Sequence, residues 1–277
     1  MVEAYLYILQ RNWLTLTGCT IVLLITLLAI LAPLLAPYDP VTIDIPSRLQ
    51  PPGTEHWFGT DEMGRDIFSR VLYGCRISLQ VGLYIVLLAA IIGTAIGSTA
   101  GYLGGKTDSV VMTIMDMILS FPSLVLAMAL AAALGPSLFN AMLAVAIVKI
   151  PVYVRLVRGQ VLSLRERQYV KAARTFGASP AWIITRHIIP NCLAPVLIQL
   201  TLGIGEAILT ASSLSFIGLG AQPPAPEWGA MISTARIYIL DQWWYATFPG
   251  LAIFITVVGF NLLGDGIRDI LDPRSIK

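Results

Sequence analysis

The sequence predicts an all-α, polytopic membrane protein with six transmembrane helices. Three observations carry that prediction: an apolar, charge-poor composition, long charge-free runs, and a sorting of basic and acidic residues between alternate loops. Of 277 residues, 56% are hydrophobic and 12% charged, against about 25% charged in soluble domains. Mean hydropathy is +0.77. A soluble chain of this size has too much surface to hide so many apolar side chains. The formal net charge of +2 lacks the dense positive charge that phosphate backbones require, which excludes nucleic acid as a partner. Cys19, Cys75 and Cys192 are odd in number and scattered, so they form no disulfide framework. The partner that composition does imply is a lipid bilayer.

A hydrocarbon core about 30 Å thick needs about 20 apolar residues in a helix. No charge occurs between Arg11 and Asp39, which places the first span at Trp13–Leu35. That run is too long for a cleaved signal core. A second span lies between Arg76 and Lys106. From Asp116 to Lys149 the chain is uncharged but interrupted at Gly135-Pro136-Ser137, a turn signal, giving the third and fourth spans as a tight hairpin. The fifth starts near Pro190 and runs to about Ser213; the sixth lies between Asp241 and Asp265.

Orientation follows from Lys and Arg beside the spans. Residues 155–187 hold Arg155, Arg158, Arg165, Arg167, Lys171, Arg174 and Arg186 against the single acid Glu166. This loop is expected in the cytoplasm. Four spans precede it and two follow, so both termini, with Arg268, Arg274 and Lys277, are expected there too. The remaining large loops, 37–75 and 214–244, carry Asp39, Asp44, Glu55, Asp61, Glu62, Asp66, Glu227 and Asp241.

The outer loop is too long for a mere connector. Thr60 before Asp61 and Glu62 reads as an N-cap with acids in a first turn, predicting a short surface helix from Asp61 to about Tyr73. His56, Asp61, Glu62 and Asp66 do not have the spacing of a calcium loop, and no metal site is expected. In the basic loop, Leu164–Phe176 is helix-compatible and Gly177 is a suitable stop. Ser179 and Pro180 then start a second helix as N-cap and N1. The adjacent small residues Ala172 and Ala173 admit close approach of another surface, which makes the loop a docking element for a soluble partner.

Residues 100–107 end in Gly-Lys-Thr, but Ala100 stands where a phosphate loop needs its first Gly, and no strand precedes them. No Gly-x-Ser-x-Gly or metal-binding His pair occurs, and His56 and His187 fall on opposite sides. The chain is read as no enzyme and as holding no cofactor. Among ionisable residues in or near spans, Asp116, Lys149 and Asp265 are expected near cytoplasmic helix ends. Glu206 sits well inside the fifth span between Gly205 and Ala207, as candidate for the translocation pathway or a subunit contact. Gly93, Gly97 and Gly101 form a small-xxx-small helix contact.

Ala172-Ala173, Gly177 and Ile189-Pro190 resemble the "EAA" loop of bacterial ABC-importer permeases. Residues 56–61 (His-Trp-Phe-Gly-Thr-Asp), 64–70 (Gly-Arg-Asp-Ile-Phe-Ser-Arg), 214–220 (Leu-Ser-Phe-Ile-Gly-Leu-Gly), 227–229 (Glu-Trp-Gly) and 261–265 (Asn-Leu-Leu-Gly-Asp) resemble the dipeptide/oligopeptide/nickel class, and the likeness runs from Tyr38 to Pro273. Lys171 stands where the motif has Glu, and His187 where Ile is usual. The resemblance implies a type I ABC-importer permease fold in the bacterial inner membrane. Residues 1–75 would form an N-terminal helix with an outer loop, and 76–277 a five-helix core with a coupling loop at 159–189. It implies Arg167, Tyr169, Lys171, Ala172, Ala173, Gly177 and Ala178 as the ATPase contact. It further implies a second, non-identical permease, two cytoplasmic ATPases carrying ATP and Mg, and an extracytoplasmic solute-binding protein. The cargo would be a peptide or, alternatively, a nickel chelate. A self-sufficient transporter, which often shows internal repeats, and an intramembrane enzyme, which needs a nucleophile–base pair, find no support in the residues.

Overall fold

The computed structural model describes residues 13–271; Arg11, Pro273, Arg274 and Lys277, used above, lie outside them. The described residues form helices α1 (Trp13–Leu35), α2 (Ile67–Leu103), α3 (Gly105–Leu119), α4 (Ser123–Leu134), α5 (Leu138–Leu164), α6 (Gln168–Thr175), α7 (Pro180–Phe216), α8 (Trp228–Ala235) and α9 (Trp243–Leu271). Five of them, α1, α2, α5, α7 and α9, are continuous, apolar and long enough to cross a bilayer. Their outward faces are apolar: Leu23, Leu24, Ile30, Leu34, Leu83, Ile91 and Phe254 are all exposed. Lipid tails solvate such faces as well as other side chains do.

The expected third span is broken. Helices α3 and α4 meet at an angle of 91° and complete a sixth crossing only as a bent pair. Pro122 lies at the bend, with no N–H to donate and a ring that disfavours helical geometry at Phe121. The hairpin at Gly135-Pro136-Ser137 stands where expected, with Gly135 at φ +90°.

Helix α2 packs on α5, on α7 and on α1, and α9 packs on α1 and α7. Gly93, Gly97 and Gly101 form the α2–α5 seam, as the four-residue spacing predicts. A Cβ at Gly97 would lie 2.6 Å from the Val154 carbonyl oxygen, and one at Gly101 would lie 3.0 Å from Val161 Cβ. Backbones this close leave no room for a side chain. Gly97→Leu is therefore expected to push α2 off α5 and cost about 1–3 kcal/mol or more, visible as a lowered thermal midpoint of the detergent-solubilised protein.

Two further helix boundaries differ from expectation. No helix starts at Asp61. Its carboxylate turns back to accept the backbone N–H of Met63 (2.8 Å) and Arg65 (2.9 Å), and Gly64, at φ +75°, lies against the Asp44 carbonyl where no Cβ fits. The hydroxyl of Thr60 donates to Ser47 O and accepts from the N–H of Gln50 instead of capping. The helix begins at Ile67, with Asp66 as N-cap through the Ser69 N–H at 2.8 Å. It then runs unbroken into the second span, so residue 75 lies inside α2. The fifth span does not begin at Pro190 either. Helix α7 is continuous from Pro180, with a π turn at Ile184–Ile188. That wider turn immediately precedes Pro190 and relieves the ring clash that α geometry imposes.

Candidate functional site

Chemistry-bearing residues gather in three places: a projection at one end of the bundle, an ion pair within it, and a cap at the other end. The projection was expected as one helix over Leu164–Phe176. Instead, α5 continues to Leu164, Arg167 is extended (ψ 145°), and α6 covers only Gln168–Thr175. Helix α6 ends in a Schellman motif, in which the N–H of Ala178 reaches the Ala173 carbonyl and that of Gly177 the Arg174 carbonyl, both at 3.1 Å. This requires the left-handed φ of +82° that Gly177 adopts. Ser179 then accepts the Trp182 N–H as N-cap of α7, with Pro180 at N1.

The faces of α6 separate cleanly. Val170 is buried, and Ala173 and Ala178 pack beside it against Val161, Ile183 and Ile188. Arg167, Tyr169, Lys171, Ala172 and Gly177 are exposed. Of the two adjacent alanines, only Ala172 is open to another surface. Lys171, standing where the family motif has Glu, lies with its Nζ 3.1 Å from Glu166 Oε2. That hydrogen bond, followed by the lysine charge, holds the Glu166 carboxyl below its ordinary range. His187 stacks against Trp182 (5.0 Å, edge-on) and Tyr169 (5.7 Å), joining α6 to α7. Phe176, which sequence reasoning did not single out as a contact residue, is 89% exposed at the tip. The missed signal was an aromatic residue directly before the helix-ending glycine. Arg165 Nη1 donates to Gly101 O at 3.1 Å, fastening the projection to the end of α2.

Lys149 was expected near a helix end. It lies in the middle turns of α5, buried, with its Nζ 2.8 Å from Glu206 Oε2 on α7. Sequence reasoning found both residues but not the pair. Arg155 and Asp116, at 2.6 Å, join α5 to α3.

At the far end, loops 36–66 and 217–242 interlock as a cap. Asp61 is fully buried, with Arg65 Nε at 2.6 Å and Arg70 Nε at 3.5 Å from its Oδ2. Arg65 also reaches Glu62 at 3.0 Å, and Glu62 accepts the Tyr245 hydroxyl from α9. Arg70 donates to the carbonyls of Pro40 and Pro224, one from each loop. Trp228 is fully buried and donates to Val71 O at 3.1 Å. Glu227 caps α8 through the N–H of Gly229 and Ala230 and accepts the Ser212 hydroxyl. His56 lies 2.9 Å from Asp66. Asp61, Glu62, Asp66 and Glu227 of the cap thus answer to arginines, a histidine, a tyrosine, serine hydroxyls and backbone donors. Among the described residues no group of three or more His, Cys, Asp or Glu is placed to hold a metal.

The bundle, the projection and the cap are one architecture with two chemically different ends. The family described as "Binding-protein-dependent transport system inner membrane component" matches residues 93–277. The chain belongs to this family. The N-terminal TM domain of oligopeptide transport permease C matches residues 6–52. As an inner membrane component of this kind, the chain is a multi-pass transport permease, and its all-α bundle is the type I ABC permease fold. Similar proteins include a probable D,D-dipeptide transport system permease protein of Escherichia coli (strain K12), 57% identical over 97% of this chain and 90% of that one. A dipeptide transport system permease protein of Alkalihalophilus pseudofirmus is 50% identical over 96% and 88%. A glutathione transport system permease protein of Escherichia coli O6:K15:H31 is 47% identical over 96% and 88%.

Proposed function

We propose that this permease component forms half of the translocation pathway of an ATP-driven peptide importer, coupled through α6 to cytoplasmic ATPases. The observation that carries the coupling is the projection itself. It offers Tyr169, Ala172 and Phe176 outward while Val170, His187 and Arg165 fasten it to α5, α7 and α2. A lever must be exposed at one face and rigidly attached at the other. Arg167, Lys171, Gly177 and the packed pair Ala173 and Ala178 complete the coupling segment, inside the loop 159–189. ATP and Mg bind the ATPases, not this chain. Their closure would draw two such projections together and bias the bundle toward its outward-facing state. Moving a two-state equilibrium from 1:99 to 99:1 takes about 5.5 kcal/mol.

The further partners are a second, non-identical permease across the Glu206 face and an extracytoplasmic solute-binding protein on the cap. Both termini are cytoplasmic, on the side of the basic projection. Peptide cargo is favoured over a nickel chelate by the relatives, which are named for dipeptides, D,D-dipeptides and glutathione. Mild-detergent purification of the tagged chain from its native membrane, followed by mass spectrometry, tests this reading. It is expected to recover an ATPase and a second permease. Recovery of this chain alone, stable and monodisperse, would sink it.

A further inference from the structure

Helix α7 is wedged on two of its sides by close packing. Gly203 lies under the Tyr153 hydroxyl and Val86, and Gly205 lies against Val257 and Phe260 of α9. The remaining face presents Glu206, whose side chain is 67% exposed, while its counter-ion Lys149 is only 11% exposed. Here the base is shut in and the acid is open. Lys149 Nζ lies nearest Oε2, at 2.8 Å.

The surroundings sharpen the sign. Thr210 spends its hydroxyl hydrogen on the Glu206 carbonyl, Ser213 spends its own on Leu209, and Leu209 is exposed one turn along. The next charge along α5, Arg155, is neutralised by Asp116 of α3. What this face offers a molecule in the bundle is therefore a carboxylate beside Leu209 and two hydroxyls whose hydrogens are already engaged, held by a buried ammonium. An ionised group at membrane depth is costly unless it meets water or a counter-charge.

We propose that Glu206 Oε1 accepts the free α-ammonium of a peptide in transit, and that Lys149 is the positioning residue that holds the carboxylate toward it. The proposal rests on the pathway reading above and deepens it. The α-ammonium is the one cation that all unblocked peptides share whatever their side chains, so a single carboxylate serves a carrier of varied sequences. A charge-assisted bond of this kind, made where water is scarce, suffices for recognition without a shaped pocket.

The test uses the complete importer in cells, with uptake of a free-amine dipeptide as readout and co-purification of the partner subunits as the assembly control. Glu206→Gln is expected to assemble normally and lose uptake by about tenfold or more. Glu206→Asp is expected to recover part of it. The exchange Lys149→Glu with Glu206→Lys keeps an ion pair but reverses which charge is open, and is expected to stay defective. Wild-type uptake by Glu206→Gln, or recovery in the exchanged variant, overturns the ammonium site. If the exchanged variant does not assemble, the assembled Gln and Asp variants decide. Failure of the pathway reading is distinguished separately. Glu206→Cys should react with a membrane-impermeant charged thiol reagent above the background of Cys19, Cys75 and Cys192. No labelling means that position 206 does not face the pathway, and both readings fall. Labelling with undiminished Glu206→Gln uptake leaves the pathway and removes only the ammonium site.

Discussion

Replacing Ala172 by Glu together with Gly177 by Asp is expected to abolish uptake and ATPase co-purification while leaving the association with the second permease intact. Ala172 is the exposed small residue on α6, and a glutamate there fills a position where a partner surface could approach the helix backbone. Gly177 sits at φ +82° with nothing within 4 Å of where its Cβ would be. The strain of Asp is therefore purely conformational, about 1–2 kcal/mol, and it falls on the Schellman turn that orients α6 against α7. Neither residue touches the α2–α5 seam or the cap, so the bundle should fold. Pull-down of the tagged chain reads both halves of the result. Normal uptake by this variant would remove α6 from the coupling role.

The second large effect is at the opposite end. Asp61→Ala is expected to destabilise the protein by about 3–5 kcal/mol. The carboxylate is fully buried between Arg65 and Arg70, and it also accepts two backbone N–H groups. Its removal takes from two buried guanidinium groups the carboxylate they share and opens the turn that Gly64 completes. The damage should spread, because Arg70 reaches Pro40 and Pro224 and Arg65 reaches Glu62, which in turn holds Tyr245 of α9. Thermal unfolding in detergent measures the loss. A change below about 1 kcal/mol would mean that the network is a solvated surface pair, of the kind that contributes little.

The residues of the cap show how a family likeness can be legible before its cause is. His56 through Arg70 and Glu227-Trp228-Gly229 carried the resemblance as short motifs, yet their physical reason is contact between segments far apart in the chain. Trp228 donates to Val71 O and covers Gly74, and Gly229 lies against the Ser212 backbone. Thr60-Asp61-Glu62 misled as a helix start because the local pattern is that of a capped first turn. The nearby Arg65 and Arg70 and the Gly64 turn claimed the acid instead.

The sequence by itself located the apolar runs of the first, second, fourth and sixth spans, the hairpin at Gly135, the α2 glycine seam, the glycine stop of α6 and the N-cap at Ser179. Each depends on local signals: apolar run length, four-residue spacing, or a residue's own backbone preference. The tertiary structure alone decided that α7 runs unbroken through Pro190, that α3 and α4 bend at Pro122 by 91°, that Lys149 belongs to Glu206, and that Asp61 and Glu62 join Arg65, Arg70 and Tyr245 in one network. These outcomes depend on which helix lies beside which, and a buried charge can be placed only when its counter-charge is brought to it across the fold.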